Sequence, residues 1–483
     1  MYVTVPVFAS NSFYQERDDR NFFSESGSSN YTNNNNFKDT LLPDFRPKKS
    51  NKISILRAVV VFLNQNIGIG LLSIPYCFQS GIILNSVVLA ILAFFALLSF
   101  ILLVDVSIAT GQSIDYAKFM RASFPDSKRS YDWFPLIIIS ITLLGCSILH
   151  FQYACTLVQT FLDELVDFGV SSIPKWTYNR WFLIGIPALV IDLPLMFLRS
   201  IKALSYASLF TLVLIIIYLI HTIYIFTLSM KSTTDSTNST CLTSFKNTSI
   251  IISKSSLFGL KHSFDGLTLF SFNKYFIPSL SIQAFAFTFN MMVTPTIEKL
   301  KNPTRKNQYI TFGCVIAISC TTYIICGILP YLALIPNISH AIVFEDFIHG
   351  RIFTVIVKAL FGVFLIMTTP LILFSCRVAF NDATFRSEFT TARWNIMGIT
   401  ILIITVVTAA AVESITTVFG FIGGVTSTLT AYVLPSLYYL RLCKNESVWK
   451  KILSWILMPS GLIIMCVCLY DSIRSIIQGD AAK

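Results

Sequence analysis

The sequence predicts an all-α membrane protein of about eleven transmembrane helices. Of its 483 residues, 54% are hydrophobic and only 13% are charged, whereas soluble domains carry about 25% charged residues. The mean hydropathy is +0.68, and the apolar residues form blocks of about 20, the length that crosses a hydrocarbon core of roughly 30 Å. Short connectors and one longer loop make up the remainder. No soluble catalytic domain fits there, so we do not expect an enzyme.

Apolar segments define the predicted organisation of the chain. In chain order, spans 1 to 11 are predicted near 55–79, 85–108, 134–162, 181–198, 203–230, 276–296, 310–335, 353–374, 396–412, 417–440 and 452–470. Residues 1–50 lack an apolar core and include the run Asn33 to Asn36, which predicts a disordered cytosolic tail. The membrane domain is then expected at 51–473, with a short tail at 474–483.

Basic residues predict the orientation of the chain. The net charge is 36 − 25 = +11. Lys and Arg concentrate in every second connector, beginning with Lys48 and Lys49 before span 1 and Lys118 and Arg121 after span 2. By the positive-inside rule these connectors are cytosolic, which places Lys483 on the opposite side. The charge therefore reports orientation in a lipid bilayer, and we expect no nucleic acid partner.

The long loop at 231–274 falls on the non-cytosolic side under this orientation. It is rich in Ser, Thr and Asn and carries glycosylation sequons at Asn238 and Asn247, which predict a glycoprotein. We expect a multi-pass protein of the plasma membrane, with a lysosomal or vacuolar membrane as the alternative.

Span 1 contains a predicted helix break. The amide side chains of Asn64, Gln65 and Asn66 are followed by Gly68 and Gly70 and then by a proline. Non-helical backbone at membrane depth is tolerated where it lines a cavity. Freed N–H groups there can bind a carboxylate, and freed carbonyls can bind a cation or an ammonium group. The alternative is that the glycines only allow close helix packing.

A second polar, proline-interrupted segment occurs in span 6, from 285 to 295. Paired interruptions of this kind predict a 5+5 inverted repeat, with broken first and sixth helices around a midplane site. Phe285, Phe287 and Phe289 are either an aromatic gate over that site or packing residues. In span 8, the hydroxyls of Thr368 and Thr369 either bond back to their own helix or supply oxygens to a sodium ion.

These motifs resemble the amino acid/auxin permease family of amino acid transporters. The stretch 66–75 is most similar to the proton-assisted branch, 285–303 looks like the family's sixth span, and 418–442 like its tenth. The resemblance implies a LeuT/APC-like fold and a secondary active transporter of neutral amino acids, driven by a proton or sodium gradient through alternating access. An amino-acid-sensing membrane receptor with the same site is the alternative. We expect a small-molecule amino acid substrate, no cofactor beyond the coupling H⁺ or Na⁺, no metal centre and a monomer.

The resemblance and the breaks together assign candidate site residues. The candidates for substrate binding are Asn66, Gly68, Gly70, Leu71, Phe287 and Asn290. The candidates for the coupling ion are Asn64, Thr368 and Thr369. The chain has Asn290 where the sodium-coupled branch has a histidine, and Thr288 and Phe289 where the proton-assisted branch has an acid and glycines, so the coupling ion stays open.

Ionisable residues inside spans are functional candidates because burying a charge in a membrane is costly. His150 and Asp192 lie deep in their spans and leave a proton route open. The alternative is that they are structural, as a hydrogen-bonded histidine and a carboxylate paired across helices. Asp105 lies near the cytosolic end of span 2, where we expect it to reach the interface or pair with a basic residue of a connector.

Overall fold

The computed structural model describes residues 52–125, 131–167, 173–197, 207–235, 267–334, 338, 340–347, 351–385, 390–444 and 447–478. The predicted tail at 1–50 and the sequons at Asn238 and Asn247 lie outside these residues. Helices make up the described chain, and one isolated parallel β-bridge joins Ile53 to Leu300.

Nine helices of the described chain are long and apolar enough to cross a membrane, and a bent pair forms a tenth. The unbroken ones are span 2 (Ile82–Thr110), span 3 (Trp133–Asp167), span 4 (Arg180–Phe197), span 5 (Ala207–Asp235), span 7 (Arg305–Leu334), span 8 (Ile352–Thr384), span 9 (Thr391–Ala411), span 10 (Ile415–Leu442) and span 11 (Val448–Gln478). Each overlaps the predicted segment of the same number. Two short helices, Tyr116–Ser123 and Val343–Asp346, lie in connectors.

Spans 1 and 6 are both broken, as predicted. The halves of span 1, Ile55–Asn66 and Gly70–Ser80, meet at an angle of 64°. Span 6 begins as the helix Phe276–Ala286 and resumes, after one 3₁₀ turn, as the short helix Thr294–Ile297. Each half is shorter than the roughly 20 residues that a transmembrane helix needs. Each break therefore interrupts its span part-way along, rather than at one end of the span.

An aromatic cluster joins spans 1, 2, 6 and 7 into one bundle. The ring of Phe100 lies 4.4 Å from the rings of both Phe289 and Phe312, and Phe62 stacks on Phe312 at 5.4 Å. Aromatic pairs at these separations stabilise a core beyond the area they bury. Spans 3 and 8 pack along each other on the other side of the breaks. The candidate site lies between this pair and the bundle.

Polar contacts hold the bundle together on the side with the basic connectors. The carboxylate of Asp105 accepts from Arg305 Nε at 3.1 Å and from Lys450 Nζ at 2.5 Å. It thereby joins span 2 to spans 7 and 11, and the prediction that Asp105 pairs with a basic residue is confirmed. The bridge between Ile53 and Leu300 ties the start of span 1 to the chain that follows span 6.

Candidate functional site

The break in span 1 leaves backbone N–H groups without hydrogen-bond acceptors. Helical turns resume where the N–H of Leu71 donates to the carbonyl oxygen of Gly68 at 3.1 Å. In the described chain, nothing accepts from the N–H groups of Gly68, Ile69 and Gly70. These groups stand at the start of the second half-helix, the positive end of its dipole. Such an arrangement binds an anionic group, for example a carboxylate.

The end of the first half-helix presents oxygen atoms instead. Asn64 Oδ1, Gln65 Oε1 and Asn66 Oδ1 are buried and have no hydrogen-bond donor among the described residues. Buried amide oxygens usually have a partner, because leaving one unpaired costs free energy. These three lie in the last turn of a half-helix, at the negative end of its dipole. They suit a cation or an ammonium group.

A cavity of about 180 Å³ lies at the break, with walls from spans 1, 3, 5, 6 and 8. Its polar lining residues are Asn64, Gln65, Asn66, Thr142, Cys146, His150, Thr211, Thr288, Thr368 and Ser375. No Asp, Glu, Lys or Arg is among the described residues that line it. The free N–H groups and the unpaired oxygens therefore supply its electrostatic polarity, with one end favouring an anion and the other a cation.

The cavity extends from the breaks toward the side with the basic connectors, where it reaches Ser375 in the second half of span 8. On the opposite side, the Ser73 hydroxyl donates to the carbonyl oxygen of Ala341 at 2.6 Å and contacts the Tyr153 hydroxyl. The ring of Tyr153 also packs against Phe419 at 6.4 Å. These contacts close the cavity on that side.

The structure brings together five of the nine predicted site residues. Asn64, Asn66, Gly68, Gly70 and Thr368 all line the cavity. The Thr368 hydroxyl donates to the carbonyl oxygens of its own helix, as the helix-bonding interpretation predicted. Its oxygen can still coordinate a cation, because donating a proton leaves its lone pairs available.

The other four predicted residues lie outside the cavity lining. The Phe287 ring packs against Tyr323 at 5.4 Å, and Asn290 Nδ2 donates to Ser99 Oγ at 2.9 Å. Leu71 is buried in the core, and the Thr369 hydroxyl donates to the backbone of its own helix. Of the proposed aromatic gate, Phe285 and Phe289 line the cavity and Phe287 does not.

Space, rather than backbone freedom, explains the two glycines of span 1. In the described chain, a positive φ occurs at Gly81 and Gly111 and at no other glycine. A Cβ added to Gly68 would meet nothing within 4 Å, and one added to Gly70 would lie 3.5 Å from Ala286 Cβ. Gly68 therefore leaves room in the cavity, and Gly70 allows the two breaks to approach each other.

In the cavity wall formed by span 3, only His150 was predicted as a functional candidate, and its place beside the breaks was not predicted. Thr142, Cys146 and His150 all line the cavity and follow each other at four-residue intervals, so they share one helix face. This spacing was the signal available in the sequence. His150 Nδ1 lies 2.8 Å from the carbonyl oxygen of Cys146, so a neutral His150 donates there and keeps Nε2 as an acceptor. Asp192 is fully buried but lies away from the cavity, and neither of its oxygens has a partner in the described chain.

Comparison with known proteins gives two kinds of likeness. The sequence model of a family described as transmembrane amino acid transporter protein matches residues 51–474. A sodium-coupled neutral amino acid transporter 4 from Pongo abelii is 25% identical over 206 residues, which make up 41% of this chain and 37% of that protein. The match thus spans little more than a third of the relative's length.

Solved structures resemble most of the chain. MhsT in complex with L-phenylalanine has a TM-score of 0.53 and 13% identity, with 88% of this chain and 100% of that chain covered. A mutant of the Eremococcus coleocola manganese transporter has a TM-score of 0.51 and 13% identity, with 90% of each chain covered. At these identities the likeness shows the fold alone, and the predicted LeuT/APC-like fold with broken first and sixth helices is confirmed.

Proposed function

The chain belongs to the family of transmembrane amino acid transporter proteins, and we propose that it is a secondary active transporter of neutral amino acids. The family consists of transporters rather than enzymes. Nothing in the comparisons supports a receptor that binds amino acids without moving them. The relative named as a neutral amino acid transporter supports the substrate class.

The polarity of the cavity is the observation that carries this proposal. An amino acid is a zwitterion, with a carboxylate and an ammonium group on one carbon atom. The free N–H groups of Gly68, Ile69 and Gly70 suit the carboxylate, and the unpaired oxygen of Asn66 suits the ammonium group. A neutral side chain fits the remaining wall, because no charged residue of the described chain lines the cavity.

Sodium is the coupling ion that the cavity residues favour. Asn64 Oδ1 is unpaired, and Thr368 of span 8 lines the same cavity. Sodium is a hard cation that binds amide, hydroxyl and carbonyl oxygens, as calcium and magnesium do. A relative named as sodium-coupled supports this choice. Proton coupling is the second candidate, because His150 lines the cavity and is the residue type that titrates near neutral pH.

Transport would proceed by alternating access around the two breaks. The contacts of Ser73 with Ala341 and Tyr153 close one side, and the cavity reaches toward the side that we predict to be cytosolic. Opening to the other side requires these contacts to break while the contacts on the cytosolic side form. We propose that a monomer is the transporting unit, in the plasma membrane.

Uptake into liposomes tests this function. The full-length protein is reconstituted, and radiolabelled neutral, acidic and basic L-amino acids are supplied with an inward Na⁺ gradient, an inward proton gradient or neither. We expect the neutral amino acids to accumulate and the Na⁺ gradient to increase their initial rate. Binding without uptake would support the receptor instead, and uptake that responds to the pH gradient alone would replace Na⁺ with H⁺. Liposomes without protein are the control.

A further inference from the structure

Two residues of span 7 contact the break in span 1 without lining the cavity. Ser319 and Tyr323 are fully buried and lie four residues apart, on one face of the helix. Both form hydrogen bonds with Asn66, the last residue of the first half-helix. Neither is in the cavity lining, so any effect they have on a bound molecule must pass through Asn66 or the backbone of the breaks.

Ser319 anchors the Asn66 side chain beside the cavity. Asn66 Nδ2 donates to Ser319 Oγ at 2.7 Å, and this bond leaves Asn66 Oδ1 unpaired in the cavity wall. An amide that rotated by half a turn would present its NH₂ group to the cavity instead. A donor in that position would repel an ammonium group or a cation. Because the Ser319 hydroxyl both accepts and donates, it holds the amide in place in either orientation. An ammonium group at the negative end of the half-helix then favours the orientation seen here, with Oδ1 toward the cavity.

Tyr323 joins the two breaks to each other. Its hydroxyl lies 2.9 Å from the carbonyl oxygen of Asn66 and 2.8 Å from that of Ala286, the last residue of the first half of span 6. A hydroxyl has one proton, so it donates to one of these carbonyls at a time. Both carbonyls stand at negative helix ends, which would repel each other without a donor between them. The ring of Tyr323 is held separately, by edge-to-face packing against Phe287.

We propose that Ser319 and Tyr323 are positioning residues for substrate binding, with Ser319 anchoring the Asn66 side chain at the cavity and Tyr323 holding the ends of both broken helices together. The inference rests on the proposed function, since it assumes that an amino acid binds at Asn66. It adds a specific chemical role for span 7, which is to keep hydrogen-bond acceptors directed toward the ammonium group of the substrate.

Hydroxyl deletions test the proposal. Tyr323→Phe keeps the ring and removes the bridging hydroxyl, and Ser319→Ala removes the acceptor for Asn66. We expect each to raise the Kd of the purified protein for a radiolabelled mixture of neutral L-amino acids roughly fivefold to tenfold, as for loss of one hydrogen bond. Tyr331→Phe is the matched control, because this buried tyrosine of the same span bonds Thr268 and touches neither break. It should leave the Kd unchanged.

A double-mutant cycle separates positioning from general loosening of the helix bundle. If Ser319 acts through Asn66, then Ser319→Ala should have no further effect on the Kd in an Asn66→Ala background. Additive effects there, or Kd values for Tyr323→Phe and Ser319→Ala equal to that of the wild type, would overturn the inference and leave the proposed function intact. If Asn66→Ala does not fold, the Kd values of Tyr323→Phe and Ser319→Ala alone decide whether the inference stands. A wild-type protein that binds none of the amino acids would overturn the proposed function, and the inference with it.

Discussion

Replacing Gly68 with valine places a side chain directly in the space where we expect the substrate. A Cβ at this position meets no atom within 4 Å, and Gly68 lines the cavity. The Cβ of the new side chain therefore causes no clash with the described residues. We expect Gly68→Val to reach the membrane and to unfold at nearly the wild-type temperature, while substrate binding is lost.

The size of the cavity sets the magnitude of this effect. A cavity of roughly 150 Å³ holds one benzene molecule, so the cavity of about 180 Å³ here has room for a small amino acid and little more. An isopropyl group takes up part of that space. It also displaces the carboxylate from at least one free N–H group, and each such charge-assisted hydrogen bond contributes about 1.5–3 kcal/mol. The Kd should rise at least a hundredfold, and Gly68→Ala should raise it roughly tenfold.

Binding of radiolabelled neutral amino acids to the purified protein, measured alongside thermal unfolding, is the appropriate assay. Gly313→Val is the matched control, because a Cβ at Gly313 of span 7 also meets nothing within 4 Å and this glycine does not line the cavity. It should bind like the wild type. Wild-type affinity in Gly68→Val would refute the placement of the substrate at this break.

Three further predictions concern the coupling ion, pH and topology. Thr368→Val should raise the Na⁺ concentration needed for half-maximal uptake roughly tenfold, while Thr369→Val should leave it unchanged. Both hydroxyls bond their own helix, but only Thr368 lines the cavity. Equal effects of the two variants would remove Thr368 from the ion site. The Asp346 carboxylate, which accepts a hydrogen bond from His340, raises the pKa of His340 above its ordinary value of 6.5. This pair should stabilise the protein fully below about pH 6.5, and its contribution should be lost as the pH rises through the raised pKa of His340. His340→Gln should abolish that part of the pH dependence of the unfolding temperature. An unchanged pH profile in this variant would contradict the pairing. Glycosidase treatment should increase the mobility of the protein, and a tag at Lys483 should be inaccessible from the cytosol; a cytosolic tag would reverse the topology.

The positions of the spans were predictable from the sequence because hydrophobic length alone selects them. Each of the nine unbroken helices overlaps its predicted segment. Both breaks were also predictable, since amides, glycines and prolines interrupt otherwise apolar runs at 64–75 and 285–295. Helix ends were less well predicted. Span 11, for example, continues to Gln478, because the end of a helix in water depends on local polar contacts rather than on hydropathy.

The direction of individual side chains at the breaks was not predictable. Helical periodicity fixes which residues share a face, and it stops applying where the helix stops. Phe287 and Asn290 lie within the break in span 6 and contact Tyr323 and Ser99 instead of lining the cavity. The cavity wall from span 3 was overlooked because its polar residues, such as Thr142, are isolated in a largely apolar helix. Their spacing gives them a common face, but only the arrangement of the partner helices shows that this face lines the cavity.

A structure of the protein bound to a transported neutral amino acid is the measurement that tests the central claim most directly. We expect the substrate carboxylate to lie within hydrogen-bond distance of the N–H groups of Gly68, Ile69 and Gly70, with its ammonium group facing Asn66 Oδ1. Substrate density anywhere outside this cavity, or a carboxylate held by side chains with these N–H groups still unpaired, would contradict it.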